Sequence, residues 1–176
     1  GDKGTMHSYI EVYEKIFNER KIDNVDLLEI GIYEGHSLMM WSEFFTNSRI
    51  LGLDIDISRI KFTMPPSVAI IHSDINNPIL YKSELFNAEF DYIIDDGSHN
   101  LADQLKSFNL LFSKLKDGGV YIIEDVQNLD NDKEKFLNLS KNVEIFDLRS
   151  KKNRYDDVLI AIYKWKLLLW LDALVS

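Results

Sequence analysis

Cysteine is absent from the 176-residue chain, which rules out disulfides, thiolate-bound metals and a cysteine nucleophile. Any metal must therefore sit among oxygen or imidazole donors, which selects a hard cation. Proline is scarce: Pro65, Pro66 and Pro78 fall between patterned segments, and no repeat or Gly/Ser-rich linker interrupts the chain. With 45% hydrophobic residues, a single domain over residues 1–176 with a sizeable core is expected. Basic residues are in deficit, 20 against 29 acidic ones, and the net charge of -9 would repel a phosphate backbone, so no nucleic-acid partner is expected. Long apolar runs are missing too. The longest, WKLLLWLDALV, contains Lys166 and Asp172 and falls short of the roughly 20 residues that span a bilayer. The opening GDKGTMHSY lacks the basic-then-apolar pattern of a secretory leader. A soluble, cytoplasmic protein with no membrane partner is expected. A start at Gly1 and an apolar end fit a domain excised from a longer polypeptide.

What is present is an alternation of two periodicities. Residues 6–20 set Ile10, Tyr13, Ile16 and Phe17 at helical spacing, with Ser8 as the expected N-cap and Glu11 three positions on. Five short apolar runs follow: VDLLEIG, ILGLDI, VAIIHSD, FDYIIDDG and GGVYIIEDV. Helical patterns lie between most of them, HSLMMWSEFF and LADQLKSFNLLFSKL being strong, NPILYKSELF moderate and ISRIKF weak. Strands without polar alternation, separated by helices, are those of a parallel sheet covered on both faces. VEIFDLRS and DDVLIAIYKW, joined by the polar KKNRY, predict an antiparallel pair at the sheet edge. The expected fold is α/β: a Rossmann-like, doubly wound, mostly parallel seven-stranded sheet with a terminal antiparallel hairpin and an N-terminal helix. Trp165, Leu168, Leu169 and Leu174 recur at helical spacing and leave room for a homo-oligomer or for neighbouring domains.

Ligands of open α/β sheets gather at the carboxyl ends of the strands. The first strand ends in Glu29 and the turn Gly31-Ile-Tyr33-Glu-Gly35, where glycines let the backbone approach a ligand. The dinucleotide fingerprint is incomplete, since Tyr33 and His36 stand at its second and third glycine positions, which disfavours a pyrophosphate cofactor. Asp54 closes the second strand 19 residues after Gly35, near the spacing of about 20 at which an acid meets ribose hydroxyls. Asp74 ends the third strand where it can accept from an adenine amino group, with Ile75 against the ring. Taken singly these residues have plainer roles, Asp54 as a helix cap and Asp74 as a turn residue. Their order at β/α spacing favours the nucleoside site.

In these motifs the chain resembles the class I S-adenosylmethionine-dependent methyltransferases, through LLEIGIYEG and the acids Asp54 and Asp74. Through DKGTMHSY, IDDGSH and GGVYIIEDV it resembles a narrower group, the metal-dependent sugar O-methyltransferases acting on macrolide deoxysugars. The resemblance implies S-adenosylmethionine as cofactor, with contacts from Thr5, His7, Tyr9, Glu29, Gly31, Tyr33, Gly35, Ser37, Asp54, Asp74, Ile75 and Asp95. Thr5, His7 and Tyr9 enter on the N-terminal motif, where they can also be mere helix-start residues.

The fourth strand ends in Asp95-Asp96-Gly97-Ser98-His99 and the fifth in Glu124-Asp125. Neighbouring strands lie about 4.8 Å apart, so these acids would crowd one rim and repel unless a cation such as Mg²⁺ or Mn²⁺ joins them. A sugar hydroxyl needs help to lose its proton. A metal lowers its pKa and a general base takes the proton, His99 being the residue that titrates near neutrality. The resemblance implies Asp96, Glu124 and Asp125 as metal ligands and His99, with Asp96, as the catalytic pair. The plainer roles are Asp95 as cap of the helix starting near Leu101, His99 in a surface turn, and Glu124-Asp125 in a solvated loop. The leading expectation is a Mg²⁺-dependent O-methyltransferase acting on a sugar or glycan acceptor. The alternatives are a metal-independent small-molecule methyltransferase and a non-catalytic nucleoside-binding module.

Overall fold

A computed structural model describes residues 2–18, 24–83 and 87–164 of the chain. Seven strands form one sheet: β1 Asn24–Ile30, β2 Asn47–Asp54, β3 Val68–His72, β4 Phe90–Asp95, β5 Leu115–Ile123, β6 Val143–Asp147 and β7 Val158–Tyr163. Their order is β3-β2-β1-β4-β5-β7-β6, with every pair from β3 to β5 parallel and β7 antiparallel to both β5 and β6. The expected Rossmann-like architecture is the one observed. Connections run outward to β2 on one side of β1 and to β5 on the far side of β4, so a crevice opens between β1 and β4.

The terminal antiparallel pair stands at the sheet edge, as expected. β7 sits inside the sheet, hydrogen-bonded on both sides, and Val158 to Ile162 are fully buried. The half-exposed β6 takes the edge. The segment between them includes a short helix, α6 Arg149–Lys152, where a simple polar turn is predicted.

Among the described residues six helices accompany the sheet: α1 Asp2–Thr5, α2 Ile10–Phe17, α3 His36–Phe44, α4 Leu101–Leu111, α5 Leu129–Leu137 and α6. Of the helix expected over residues 6–20, α2 forms over Ile10–Phe17, residues 6–9 are not helical, residues 19 and 20 lie outside the described residues, and the separate α1 precedes it. Ser8 is not its cap: Tyr9 precedes α2, and the Ser8 N–H donates to Asp157 Oδ1 at 2.9 Å. Only single 3-10 turns form at 57–59 and 80–82, and residues 84–86 lie outside the described residues, as does the apolar stretch after 164. α4 ends at Leu111, and Leu115 already belongs to β5. No described helix is long and apolar enough to cross a membrane.

Packing ties α2 to the site. Phe17 is fully buried, with its ring 4.3 Å from that of Tyr92, 5.0 Å from Tyr13 and 5.6 Å from Trp41, centroid to centroid. Truncating such a side chain costs about 3–5 kcal/mol. This aromatic cluster fixes α2 on one face of the sheet and thereby orients Tyr13, one turn earlier, toward the end of β5.

Candidate active site

At the carboxyl end of β1 the chain turns through three left-handed residues, Gly31 (φ 81°), Tyr33 (φ 44°) and Gly35 (φ 85°), before α3 begins. Asp54 holds this turn. Its Oδ2 accepts from the N–H groups of Ile32 (2.8 Å) and Tyr33 (3.0 Å), and its Oδ1 accepts from Asp56 N–H at 2.9 Å. A carboxylate has about four acceptor sites, so Oδ1 keeps capacity for a ligand hydroxyl. Beside the turn lies a cavity of 830 Å³, within the range of small-molecule pockets.

Of the residues expected at the cofactor, Gly31, Tyr33, Ser37, Asp54, Asp74, Ile75 and Asp95 line this cavity. Asp74 also closes a turn, its Oδ1 accepting from Asn76 N–H at 2.8 Å, so the structural and ligand-facing roles coexist. Asp95 is buried and lines the floor, and burial pushes its carboxyl up to about 7. It does not cap α4. Asn100 does, its side-chain oxygen accepting from Ala102 N–H at 2.9 Å. Thr5, His7, Tyr9, Glu29 and Gly35 are not among the lining residues. Arg59, which the sequence motifs do not single out, lies with its guanidinium 5.3 Å from the centroid of the exposed Tyr33 ring at the cavity wall.

At the far end of the cavity β4 and β5 deliver Asp96, His99 and Asp125. Their ligand atoms lie within 4.8 Å of one another. His99 Nε2 is 3.1 Å from Asp96 Oδ1 and 3.8 Å from Asp125 Oδ2. Both His99 (φ 57°) and Asp125 (φ 54°) adopt left-handed backbone, which costs roughly 1–3 kcal/mol per residue and characteristically gathers at functional sites. The hydrogen bond to Asp96 raises the His99 pKa against the opposing effect of partial burial. Burial, then the charge of Asp96, raises the Asp125 carboxyl. Burial works against ionisation of Asp96 as well, but Lys3 and His99 outweigh it and hold that carboxyl below its ordinary value.

Glu124 is placed differently from its neighbour. Its Oε1 accepts from Lys3 Nζ at 2.6 Å and from the Tyr13 hydroxyl, and it does not line the cavity, although Lys3 bridges it to Asp96. α4 fixes its backbone, with Gln104 Nε2 donating to the Glu124 carbonyl at 3.0 Å. Burial raises the Glu124 carboxyl strongly, against the pull of Lys3.

Lys3 is the site residue that sequence reasoning missed, although it lies inside the DKGTMHSY motif. Only 3% of its side chain is exposed, and its ammonium stands 2.6 Å from Glu124, 2.8 Å from Asp96 and 3.3 Å from Glu29. Burial favours the neutral amine, but these three carboxylates outweigh it and keep Lys3 charged. Removing one partner of such a buried set costs about 3–5 kcal/mol. His7 and Tyr9 support the rim from the same segment. Tyr9 donates its hydroxyl to Asp125 Oδ1 at 2.7 Å, and His7 Nδ1 lies 3.3 Å from that oxygen while its ring stacks on Tyr9.

No protein-family model matches the chain. Among curated proteins it is 35% identical over 136 residues to the 8-demethyl-8-alpha-L-rhamnosyl tetracenomycin-C 2'-O-methyltransferase of Streptomyces olivaceus, a match covering 72% of this chain and 35% of that protein. It is 34% identical over 131 residues to the demethylmacrocin O-methyltransferase of Streptomyces fradiae, covering 70% of this chain and 33% of that protein. Among solved structures, the MycE methyltransferase of the mycinamycin biosynthetic pathway, in complex with Mg and SAH, superposes with a TM-score of 0.70 at 26% identity. That match covers 92% of this chain and 51% of the MycE chain. The chain thus spans about a third of the length of the curated relatives it matches.

Proposed function

This chain is a homologue of the macrolide and tetracenomycin sugar O-methyltransferases, within the class I S-adenosylmethionine-dependent methyltransferases, and on that footing we propose that it transfers a methyl group to a sugar hydroxyl. The observation that carries this reading is the convergence of Asp96, His99 and Asp125 at one end of a nucleoside-sized cavity.

S-adenosylmethionine would lie along that cavity. Asp54 Oδ1 has a lone pair to spare for a ribose hydroxyl, Asp74 faces the adenine end, and Tyr33 and Ile75 flank the base. The dense acidic rim fits a divalent cation: oxygen and imidazole donors only, with one buried ammonium against the carboxylates of Glu29, Asp96, Glu124 and Asp125. Asp96 and Asp125 would hold Mg²⁺ or Mn²⁺ directly, and Glu124 would back them. When bound, the cation supplies Lewis acidity that lowers the pKa of a sugar hydroxyl.

His99 is the general base. Its Nε2 donates to the ionised Asp96 Oδ1 at 3.1 Å, so the lone pair that takes the proton is that of Nδ1, and the imidazolium then formed is stabilised by Asp96 and by Asp125, whose Oδ2 lies 3.8 Å from Nε2. The hydroxyl oxygen attacks the sulfonium methyl carbon as the sulfur–carbon bond breaks, leaving S-adenosylhomocysteine, the methyl ether and the proton on His99. The net charge of -9 suits a neutral glycoside better than a polyanion.

The test has two stages. Calorimetry should detect S-adenosylhomocysteine binding, and its absence would remove the methyl-transfer reading. Transfer of labelled methyl to a panel of deoxysugar glycosides should stop in excess chelator and return with Mg²⁺, while persistence in chelator would dismiss the metal.

A further inference from the structure

No described residue of the N-terminal segment 2–18 lines the cavity, yet side chains of that segment reach the rim acids. Lys3 Nζ bonds Asp96 Oδ2, Tyr9 bonds Asp125 Oδ1, and Tyr13, at the first turns of α2, bonds Glu124. The segment is itself tied down from the surface. Lys152 of α6 donates to the carbonyl oxygens of Gly4 (2.6 Å), Thr5 (3.2 Å) and His7 (2.5 Å), and the Ser8 N–H is held by Asp157.

We propose that Lys3 is a positioning residue for the divalent cation: its buried ammonium pins Asp96 through Oδ2, so that Oδ1 is presented to the cavity beside His99, and the Lys152 clamp keeps it there. The inference rests on the metal reading above and adds a residue to it. Asp96 divides its oxygens in this way: Oδ2 is 2.8 Å from Lys3 and Oδ1 is 3.1 Å from His99 Nε2. Lys3 meets Glu29 and Glu124 as well as Asp96, whereas Asp125 takes its contacts from His99, His7 and Tyr9.

Two effects of Lys3 on a nearby cation have opposite signs, which makes the idea decidable. As a mere positive charge it repels the ion, so its removal should tighten binding. As a positioning residue it holds a ligand oxygen in place, so its removal should weaken binding despite the lost repulsion. Loss of groups that orient metal ligands weakens affinity by about 10–100-fold.

The measurement is Mn²⁺ affinity by electron paramagnetic resonance, with S-adenosylhomocysteine affinity by calorimetry alongside. Lys3→Met should bind Mn²⁺ about tenfold or more weakly, with nucleoside affinity preserved because Lys3 does not line the cavity. Lys152→Met should also weaken Mn²⁺ binding, by a smaller factor. It touches no carboxylate of the rim and carries the test if Lys3→Met fails to fold. Native or tighter Mn²⁺ binding in the folded variants overturns the role of Lys3 while leaving the metal site intact. A native protein that binds no Mn²⁺ removes the metal reading and this inference with it.

Discussion

Gly31 and Asp96 meet so closely that a Cβ added to Gly31 would lie 2.1 Å from the Asp96 carbonyl oxygen. The contact is backbone to backbone, made where β1 and β4 end side by side, and Asp96 N–H bonds the Ile30 carbonyl at 2.9 Å. Gly31→Ala therefore cannot be absorbed by a side-chain rotation. The left-handed backbone alone costs an alanine about 1–2 kcal/mol, and the overlap must also displace Asp96. Chemical unfolding should show a loss of about 2 kcal/mol or more, and S-adenosylhomocysteine affinity should fall with it. A variant of native stability and affinity would mean that the two strand ends are not in contact.

His99 is the group whose removal should separate binding from chemistry. It lines the cavity only at the acidic end, and its contacts are to Asp96 and Asp125. His99→Ala should lower kcat by about 10²–10⁴-fold, the range general bases contribute, with S-adenosylhomocysteine affinity near native. The native pH profile should show an ascending limb set by His99. Full turnover in the variant would eliminate His99 as the base.

The sheet was legible in the sequence because its strands are apolar runs stopped by glycine or acid, a pattern that only a covered parallel sheet rewards. The edge strand gave itself away less well: VEIFD is half-exposed over its first four residues, whereas VLIAIY is buried from Val158 to Ile162 and so belongs inside the sheet. α5 escaped notice because LDNDKEKFL offers a narrow apolar stripe, with Leu129 and Phe136 buried seven residues apart. The break between α1 and α2 has a tertiary cause, since Tyr9 N–H closes on the Lys3 carbonyl and Ser8 N–H is taken by Asp157. Lys3 is the deepest omission. Its two nearest partners, Asp96 and Glu124, lie 93 and 121 residues away, and no local period marks a lysine that a neighbouring strand pair will bury.

Asp54 has a double engagement that predicts a double effect. It binds three backbone N–H groups of the strand ends and still faces the cavity. Asp54→Asn turns an amide donor toward one or more of those N–H groups, so the turn should loosen as well as lose its charge. Stability should fall by about 0.5–1.5 kcal/mol, the net worth of an ordinary hydrogen bond, and S-adenosylhomocysteine affinity by about tenfold or more. Unchanged nucleoside affinity would show that Asp54 only braces the turn.

Glu29 ties stability to pH with a definite sign. It is fully buried, Trp41 Nε1 donates to its Oε2 at 3.1 Å, and burial, opposed by Lys3, pushes its carboxyl from 4.5 up to about 7. Between those values the native state holds a proton that the unfolded chain has released, so the native state binds more protons there. Stability must then fall as pH rises from about 4.5 to about 7, and level off above. At 1.36 kcal/mol per pKa unit the contribution is at most about 3 kcal/mol. Glu29→Gln keeps an acceptor for Trp41 but cannot titrate, so urea unfolding in chelator at pH 5 and pH 8 should give a smaller difference than in the native protein. Asp95, also raised to about 7, keeps part of the slope in both proteins. An identical difference in the two would mean that Glu29 is ionised across the whole range, with Lys3 fully compensating its burial.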